Sequence, residues 1–454
     1  MENMSVTEVK LLVKDLEIGM YVCKLDKPWV ESGFLFQGFL IKDKQILRQL
    51  HDECSYAYID VAKQSKAYKA KQTIATKNSE SKTAVTKPKK VKKKKSRFFS
   101  FNGFGSKAKD NFGRDETNLL SDIVGNQIAV DSIRPPEKLA SFEQEIAVAQ
   151  QTHFKTHKLV KEFMGQVKEG GTIDMLVAKQ AVQECMGSVL RSPDAMLLMT
   201  HLKSKHRSSW QHSMNTGILA ISLGRHLNLS DEELTTLGLC GMLHDIGKLL
   251  ISKQDLLESS NKRALVESHT LLGRDVLVNC HGELARIVAE VAYSHHERLD
   301  GRGFPQGLNG SKISPYTRMI TIVDTYDVLI TDRSGRKGLT HYDAINKMLQ
   351  QVGSFLDETL VNCFNQCIGT YPAGSIVEMN TGELAIVVEA NSVQKLRPKV
   401  LILTGPNKES CRKHLVNLAK KSFDANENPY AIRSIIRPEV YGIEIDKYDT
   451  YSTS

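Results

Sequence analysis

Apolar residues recur every three to four positions through two long parts of the chain, the spacing of helices that bury one face. The first part runs from about residue 136 to 202, and the second from about residue 210 to 368. Helix-start signals divide the second part, among them a capping-box sequence at Ser230 and a Ser-Pro pair at Ser314. These patterns predict a bundle of helices in the middle of the chain.

The two ends of the chain follow a different pattern, in which short apolar runs are separated by turn residues. Near the N-terminus we predict strands over residues 20–23, 34–36 and 56–61, and a helix over residues 43–50. Near the C-terminus, residues 375–379 and 384–388 flank Asn-Thr-Gly-Glu and predict a hairpin, with a further strand over residues 399–403. The fold class predicted is multidomain: an all-α catalytic bundle, a small N-terminal α/β domain and a C-terminal β-rich extension.

Five segments follow from these changes of pattern. Residues 63–116 are rich in Lys, Ser and Thr and lack hydrophobic periodicity, so we predict a basic disordered linker there. The full division is an α/β domain over 1–62, the linker over 63–116, a helical connector over 117–202, the catalytic domain over 203–370 and the β-rich extension over 371–454.

Charge changes this picture only locally. The chain of 454 residues carries a net charge of +9, and eight of its basic residues lie in Lys87–Arg97, so the remainder is close to neutral. We therefore expect no specific nucleic-acid binding. Four phenylalanines follow, which makes peripheral contact with an anionic membrane an alternative to the favoured reading of a solubilising spacer. They are Phe98, Phe99, Phe101 and Phe104.

Cysteine and hydropathy patterns exclude several classes of protein. The eight cysteines stand singly, without a Cys-x-x-Cys pair, so a disulfide framework or a thiolate metal site is not expected. No run of about 18 apolar residues is present, and the N-terminus lacks the pattern of a signal peptide. We expect a cytoplasmic protein.

Imidazole and carboxylate side chains recur at positions predicted to face the interior of the bundle. An ionised aspartate is costly to bury without a partner, and a divalent cation supplies one. Seven such residues without a thiolate exceed the needs of a single tetrahedral zinc, so we predict two divalent transition metal ions. Iron and manganese are preferred, with nickel and zinc left open. The seven are His212, His244, Asp245, His269, His295, His296 and Asp324.

Asp245 is the best candidate for a bridging ligand, because it adjoins one histidine and is central in the sequence. Two bridged cations lower the pKa of a bound water and hold oxygens on both sides of a displacement at phosphorus, which favours a metal-dependent hydrolase of phosphate esters. Lys248 lies one turn beyond and could stabilise charge on the phosphate. A surface lysine is an equally weighted alternative.

The histidine and aspartate pattern, with the sequence HHERLDGRGFP starting at His295, resembles the HD-GYP family of cyclic di-GMP phosphodiesterases over residues 210–368. The N-terminal sequences LEIGMYVCKLDKPW and FLFQGFLI resemble the DUF3391 domain that often precedes HD-GYP domains. The resemblance implies an HD-type helical domain that hydrolyses cyclic di-GMP to pGpG or GMP in bacterial second-messenger signalling. It also implies that the HD-GYP loop contacts the GGDEF domains of diguanylate cyclases.

The resemblance also implies roles for individual residues. Lys248 matches a catalytic lysine, and Asp245 is shared by both metals. The first metal is assigned to His212, His244, Asp245 and Asp324, and the second to Asp245, His269, His295 and His296. Substrate phosphate is assigned to Arg333, Arg336 and Lys337, and the motif loop consists of Glu297, Asp300, Gly301, Gly303, Phe304 and Pro305.

Three positions depart from the family pattern. Ser208 stands where some members carry a glutamate that joins a third metal, so we expect two metals. Phe304 lacks the tyrosine hydroxyl of the motif, and Gly335 replaces a common aromatic residue. The last two changes keep alternatives open: a catalytically weak or inactive cyclic-dinucleotide sensor or interaction module, and an HD phosphohydrolase acting on another nucleotide.

Overall fold

The computed structural model of the chain describes residues 8–26, 39–60, 137–201, 209–280, 282–332, 337–420, 423 and 429–437. The chain divides into two compact units, Met1–Phe112 and Gly113–Ser454. Three predicted features lie outside the described residues: the strand over 34–36, the linker over 63–116 and the basic run Lys87–Arg97.

The first unit contains a four-stranded antiparallel sheet of order β1-β4-β2-β3 and one helix. The elements are β1 (Glu8–Leu12), β2 (Tyr21–Leu25), β3 (Phe39–Leu40), α1 (Lys44–Glu53) and β4 (Tyr56–Asp60). Val22, Ile59 and Leu50 are fully buried between sheet and helix. Strand β1 was not predicted, since it lies at the edge and exposes both Val9 and Leu12, so it has no alternating pattern.

The second unit is mainly helical, as predicted. Three helices lie in the region predicted as a connector, and we call them the connector helices: α2 (Phe142–Lys168), α3 (Met175–Arg191) and α4 (Pro193–His201). The bundle that follows contains α5 (Ser209–His226), α6 (Asp231–Leu243), α7 (Lys253–Glu258), α8 (Lys262–Glu267), α9 (His269–Val278), α10 (Glu283–Ser294), α11 (Pro315–Ile330), α12 (His341–Leu349) and α13 (Glu358–Ile368). The connector and the bundle share one apolar core.

The predicted helix starts are present in the structure. The Ser230 hydroxyl accepts a hydrogen bond from the Glu233 amide at 3.3 Å, and the Glu233 carboxylate accepts one from the Ser230 amide at 2.8 Å. Ser314 caps α11, whose first residue is Pro315. These caps satisfy amides that a helix N-terminus leaves without intrahelical partners.

Helices α5 and α6 approach closely at two glycines. A Cβ atom built on Gly241 would lie 2.8 Å from the Gly217 Cα, which leaves no room for a side chain between the helices. This contact matters for the site because α5 carries His212 near its start, and α6 ends directly before His244.

A five-stranded antiparallel sheet of order β8-β7-β6-β5-β9 follows the bundle. Its strands are β5 (Ile376–Met379), β6 (Leu384–Glu389), β7 (Lys399–Thr404), β8 (Ser410–Asn417) and β9 (Ile432–Ile436). The predicted hairpin is confirmed, because β5 pairs with β6 across the Asn-Thr-Gly-Glu turn. Strands β8 and β9 were not predicted, since both are edge strands with mostly exposed or half-buried residues.

Charged groups attach this sheet to the connector helices. The Lys138 ammonium lies 2.6 Å from the Asp194 carboxylate and 2.7 Å from the Glu389 carboxylate at the end of β6. Asp194 also accepts a hydrogen bond from the Ala390 amide at 3.1 Å. Among the helices that the structure describes, none combines the length and the apolar character needed to cross a membrane.

Candidate metal centre

All seven predicted metal-type residues meet at one place in the bundle. They form two groups in which the potential ligand atoms lie within 4.8 Å of one another. We name them the His212 group, which contains His212, His244 and Asp324, and the His269 group, which contains Asp245, His269, His295 and His296.

Helix ends supply most of these residues. His244 directly follows α6, His269 is the first residue of α9, and His295 directly follows α10. The apolar spacing of Leu265, Leu272 and Val276 around His269 predicts a single helix there. The structure contains two, because the chain breaks at Ser268 between α8 and α9. The ends of these helices therefore bring His244, His269 and His295 together, although the three residues are far apart in the sequence.

The Asp245 carboxylate lies between the histidines of the two groups. Its Oδ2 atom is 3.3 Å from His244 Nε2 and 3.5 Å from His212 Nε2. Its Oδ1 atom is 3.4 Å from His269 Nε2 and 3.5 Å from His295 Nε2. One oxygen therefore faces each group, which is the geometry required of a bridging ligand.

Three histidines are oriented by backbone carbonyls three residues earlier in the chain. His244 Nδ1 contacts the Gly241 carbonyl at 2.9 Å, and His295 Nδ1 contacts the Ala292 carbonyl at 2.9 Å. His269 Nδ1 contacts the Val266 carbonyl at 2.5 Å. A carbonyl accepts but does not donate, so Nδ1 carries the proton and Nε2 presents its lone pair to the centre.

His212 is oriented by a carboxylate instead. Its Nδ1 atom lies 2.8 Å from Asp327 Oδ2, and Asp327 Oδ1 accepts a hydrogen bond from the Asn215 amide at 3.1 Å. Sequence analysis missed Asp327 and Asn215. A usable signal was present, because each follows a candidate ligand by three residues on the same helix, Asp324 for one and His212 for the other.

Burial and charge set the protonation of these groups. Burial lowers the pKa of His269 to about 4 and that of His296 to about 2, so both imidazoles are neutral at pH 7. Burial alone would raise the pKa of Asp245, but His244 and Lys248 hold it well below its usual range. For these two histidines the neutral imidazole is the state that metal binding requires. Burial lowers the pKa of His212, but its contacts with three carboxylates raise it well above its usual range, so a cation would displace a proton from this imidazole.

The residues present fit divalent metal ions. The buried atoms His212 Nε2, His244 Nε2 and Asp245 Oδ1 have no hydrogen-bond partner among the described residues. Unpaired buried polar atoms are costly, and here they converge on one point. The donor set is imidazole nitrogen and carboxylate oxygen, which suits iron, manganese, nickel and zinc.

The residues predicted to contact substrate are only partly described. The Lys248 ammonium forms an ion pair with Asp245 Oδ2 at 2.5 Å, and its side chain is 39% exposed, so it borders the centre. Lys337 is exposed. Arg333 and Arg336 lie outside the described residues, as do Ser208 and Gly335.

The loop after His296 is held by a buried carboxylate. Glu297 is 1% exposed and accepts hydrogen bonds from the amides of Gln306, Gly307 and Leu308 at 2.7, 3.1 and 2.8 Å. Three amide donors stabilise an ionised carboxylate away from water. Glu297 thus links the start of the loop to residues 306–308 at its other end.

The aromatic residue of the loop covers one metal-type ligand. The Phe304 ring stacks on the His296 ring, with centroids 4.7 Å apart and planes 29° apart. Gly303 permits the loop backbone to approach its own start, because a Cβ there would lie 2.5 Å from the Glu297 Cα. Gly301 has a φ of +71°, a conformation that favours glycine. Asp300 pairs with Arg298, and the Phe304-Pro305 peptide bond is cis.

Three protein-family models match the chain. Residues 8–178 match a domain of unknown function, DUF3391, and residues 196–360 match the HD domain. Residues 376–423 match a KOW domain associated with HD domains, and they lie in the β-rich extension. The extension was predicted from the sequence, but its similarity to a KOW domain was not.

Curated relatives resemble part of the chain. A cyclic di-GMP phosphodiesterase of Pseudomonas aeruginosa is 33% identical over 59% of this chain and 65% of its own length. A 3'3'-cGAMP-specific phosphodiesterase of Vibrio cholerae is 29% identical over 54% of this chain and 56% of its own length. The matches therefore span less than two thirds of these relatives.

Among solved structures, an HDG"Y"P protein from Bdellovibrio bacteriovorus is 15% identical and covers 79% of this chain and 98% of that chain, with a TM-score of 0.36. The resemblance to the DUF3391 and HD families expected from the sequence motifs is confirmed by the family models. Residues 196–360 of the chain therefore resemble the HD-domain family, within a chain that also matches the DUF3391 model and the model of an HD-associated KOW domain.

Proposed function

We propose that this protein is a metal-dependent phosphodiesterase that hydrolyses cyclic di-GMP to pGpG, GMP or both in bacterial second-messenger signalling. The observation that carries the proposal is the placement of Asp245 between two groups of histidines whose Nε2 atoms face it. The relatives named as cyclic di-GMP phosphodiesterases support the choice of substrate.

Two divalent cations, with iron or manganese preferred, would supply Lewis-acid stabilisation of phosphate oxygens and activation of a water. His212, His244 and Asp324 would hold one ion, His269, His295 and His296 the other, and Asp245 both. Lys248 contacts the Asp245 carboxylate, and its half-exposed ammonium would stabilise charge on an oxygen of a bound phosphate.

Substrate phosphate would be held by the basic residues after α11. Guanidinium groups form two parallel hydrogen bonds to phosphate oxygens, which suits Arg333 and Arg336, and Lys337 adds an exposed positive charge. From the resemblance, we also propose that the motif loop contacts GGDEF domains. The hydropathy pattern supports a cytoplasmic enzyme, and peripheral membrane contact through Lys87–Arg97 stays the alternative to a solubilising spacer.

Two other functions have specific support. Hydrolysis of a different cyclic dinucleotide is favoured by the Vibrio cholerae relatives named as 3'3'-cGAMP-specific. A sensor that binds cyclic dinucleotide without cleaving it is favoured by Phe304, which has the ring of the family tyrosine and lacks its hydroxyl.

The deciding experiment is an anaerobic incubation of the full chain with iron(II) or manganese(II) and either cyclic di-GMP or 3'3'-cGAMP, followed by product separation. Metal-dependent formation of pGpG or GMP supports the proposal. Faster cleavage of 3'3'-cGAMP would favour the second function. Nucleotide binding without product, in protein of confirmed metal content, would favour the sensor.

Metal binding is expected to stabilise the helical domain. A ligand that binds only the folded state at 100 times its dissociation constant adds about 2.7 kcal/mol of stability. Manganese(II) should therefore raise the thermal unfolding midpoint of the full chain by several degrees, followed by circular dichroism at 222 nm. Magnesium(II) serves as the control, because it prefers an all-oxygen shell and should give a much smaller shift. Equal shifts for both ions would contradict a site rich in imidazole.

Replacement of a phosphate-binding arginine should weaken substrate binding more than chemistry. Arg336→Ala is expected to raise KM by about 10- to 100-fold, since a charge-assisted hydrogen bond contributes about 1.5–3 kcal/mol. Steady-state kinetics on cyclic di-GMP measures this change. Arg286→Ala, at an exposed position of α10, is the matched control and should leave KM unchanged. An unaltered KM in Arg336→Ala would remove this residue from the substrate site.

A further inference from the structure

The two groups of the metal centre differ in charge. The His212 group contains the Asp324 carboxylate in addition to its share of Asp245, and Asp324 Oδ1 lies 3.1 Å from His212 Nε2. The His269 group contains three imidazoles and no carboxylate besides Asp245. A divalent cation is therefore attracted more strongly to the His212 group.

The groups also differ in what lies behind their imidazoles. His212 donates its Nδ1 proton to the buried Asp327 carboxylate, whereas His269 and His295 donate theirs to backbone carbonyls. A carboxylate partner makes an imidazole more electron-rich than a neutral carbonyl does, and so a stronger metal ligand. Asp327 is only 1% exposed, so water screens its charge little.

Asn215 orients the Asp327 carboxylate toward His212. Its amide donates to Asp327 Oδ1 at 3.1 Å, so the other carboxylate oxygen is presented to His212. The Lys248 ammonium forms an ion pair with Asp245 Oδ2, the oxygen that faces the His212 group, and so offsets part of the negative charge of that group. Asp324 and Asp327 remain as two additional carboxylates, and neither has a counterpart in the His269 group.

One ligand of the His269 group is held by the motif loop, because the His296 ring stacks on Phe304. The ligands of the His212 group lie on helices or directly follow one: His212 on α5, Asp324 on α11 and His244 after α6. Exposure does not separate the two groups, since each contains both buried and half-buried ligands. A ligand held by a loop is less preorganised than ligands fixed between packed helices, which weakens binding.

We propose that the two metal positions are unequal and fill in order: the His212 group binds the first divalent cation, and the His269 group binds the second more weakly. Asp327, supported by Asn215, is the positioning residue that sets this order through His212. The inference rests on the two-cation site of the proposed function and deepens it, by assigning each position its own affinity.

The test is an anaerobic manganese(II) titration of the full chain, followed by electron paramagnetic resonance and calorimetry. Wild-type protein should show two steps: an isolated manganese signal up to one equivalent, then a coupled-pair signal up to two. Asp327→Asn should weaken the first step by about 10- to 100-fold and leave the second within about threefold. Asp275→Asn, an exposed aspartate on α9, is the control and should change neither step.

Ligand variants assign the steps to positions. His296→Ala should keep the tight step and lose the weak one, whereas His212→Ala should lose the tight step. Two wild-type steps of equal affinity, an equal loss in both steps for Asp327→Asn, or loss of the tight step in His296→Ala would each overturn the proposal.

The titration contains no nucleotide, so its result is separate from that of the activity assay. Protein that binds two ions in order but cleaves no cyclic dinucleotide would keep this inference and lose the proposed function. Protein that cleaves the substrate but binds both ions with equal affinity would keep the proposed function and lose this inference.

Discussion

Asp245→Ala should abolish metal binding and hydrolysis together. The two oxygens of this carboxylate lie 3.3–3.5 Å from four imidazole nitrogens, so both metal positions lose a ligand in a single substitution. We expect fewer than one bound ion per chain and a fall in kcat of at least about 1,000-fold, since metal stabilisation of the transition state contributes several kcal/mol. Elemental analysis and the cyclic di-GMP assay measure the two effects.

Two further variants separate this effect from misfolding. Asp245→Asn keeps the shape of the side chain and should also lose activity, because a neutral amide cannot bridge two cations. Asp275→Ala removes an exposed carboxylate from α9 and should retain full metal content and turnover. If Asp245→Ala kept full turnover, the bridging assignment would be wrong and the metal-dependent mechanism would lose its central residue.

Gly247→Ala should lower the stability of the protein more than any other added methyl group near the metal centre. A Cβ on Gly247 would overlap the carbonyl oxygen of His269 and the amide nitrogen of Gly273, and would lie 3.0 Å from the Gly273 Cα. These are backbone atoms of α9, so the whole helix must move. Overpacking commonly costs about 1–3 kcal/mol, and we expect the upper end of that range or more because no flexible side chain can yield.

Movement of α9 also displaces His269 from Asp245. We therefore expect Gly247→Ala to lower the unfolding midpoint and to lose the ion of the His269 group, measured by calorimetry and metal analysis. Gly165→Ala, in α2 with open space around the new methyl group, is the matched control. It should raise stability by about 0.5–1 kcal/mol, as alanine is preferred inside helices. A Gly247→Ala protein with wild-type midpoint and two ions would show that this helix contact is not restrictive.

Much of the fold could be predicted because its signals are local. The capping box at Ser230 and the Ser314-Pro315 start lie in adjacent residues, and both begin helices where expected. Strands β1, β8 and β9 escaped prediction because edge strands bury few side chains and lose the alternation on which prediction depends.

The convergence of the seven candidate ligands could also be anticipated, since each lies on or beside an apolar helical stripe. The residues that orient those ligands could not be recognised in the same way. Asp327 and Asn215 are polar residues on buried helices, and only the crossing of α5 and α11 shows that they contact each other and His212. The break at Ser268 was missed because apolar spacing continues across it.

The backbone partners of His244, His269 and His295 have an evolutionary consequence. A carbonyl oxygen is present whatever side chain its residue carries, so substitutions at Val266 or Ala292 do not delete the groups that orient His269 and His295. At Gly241 the close contact with α5, and not the carbonyl that orients His244, limits substitution. His212 lacks this protection, since a single codon change at Asp327 removes its partner. Substitutions around the centre should therefore be tolerated wherever the helix geometry is preserved. Damaging substitutions should concentrate at Asp327, whose side chain orients His212.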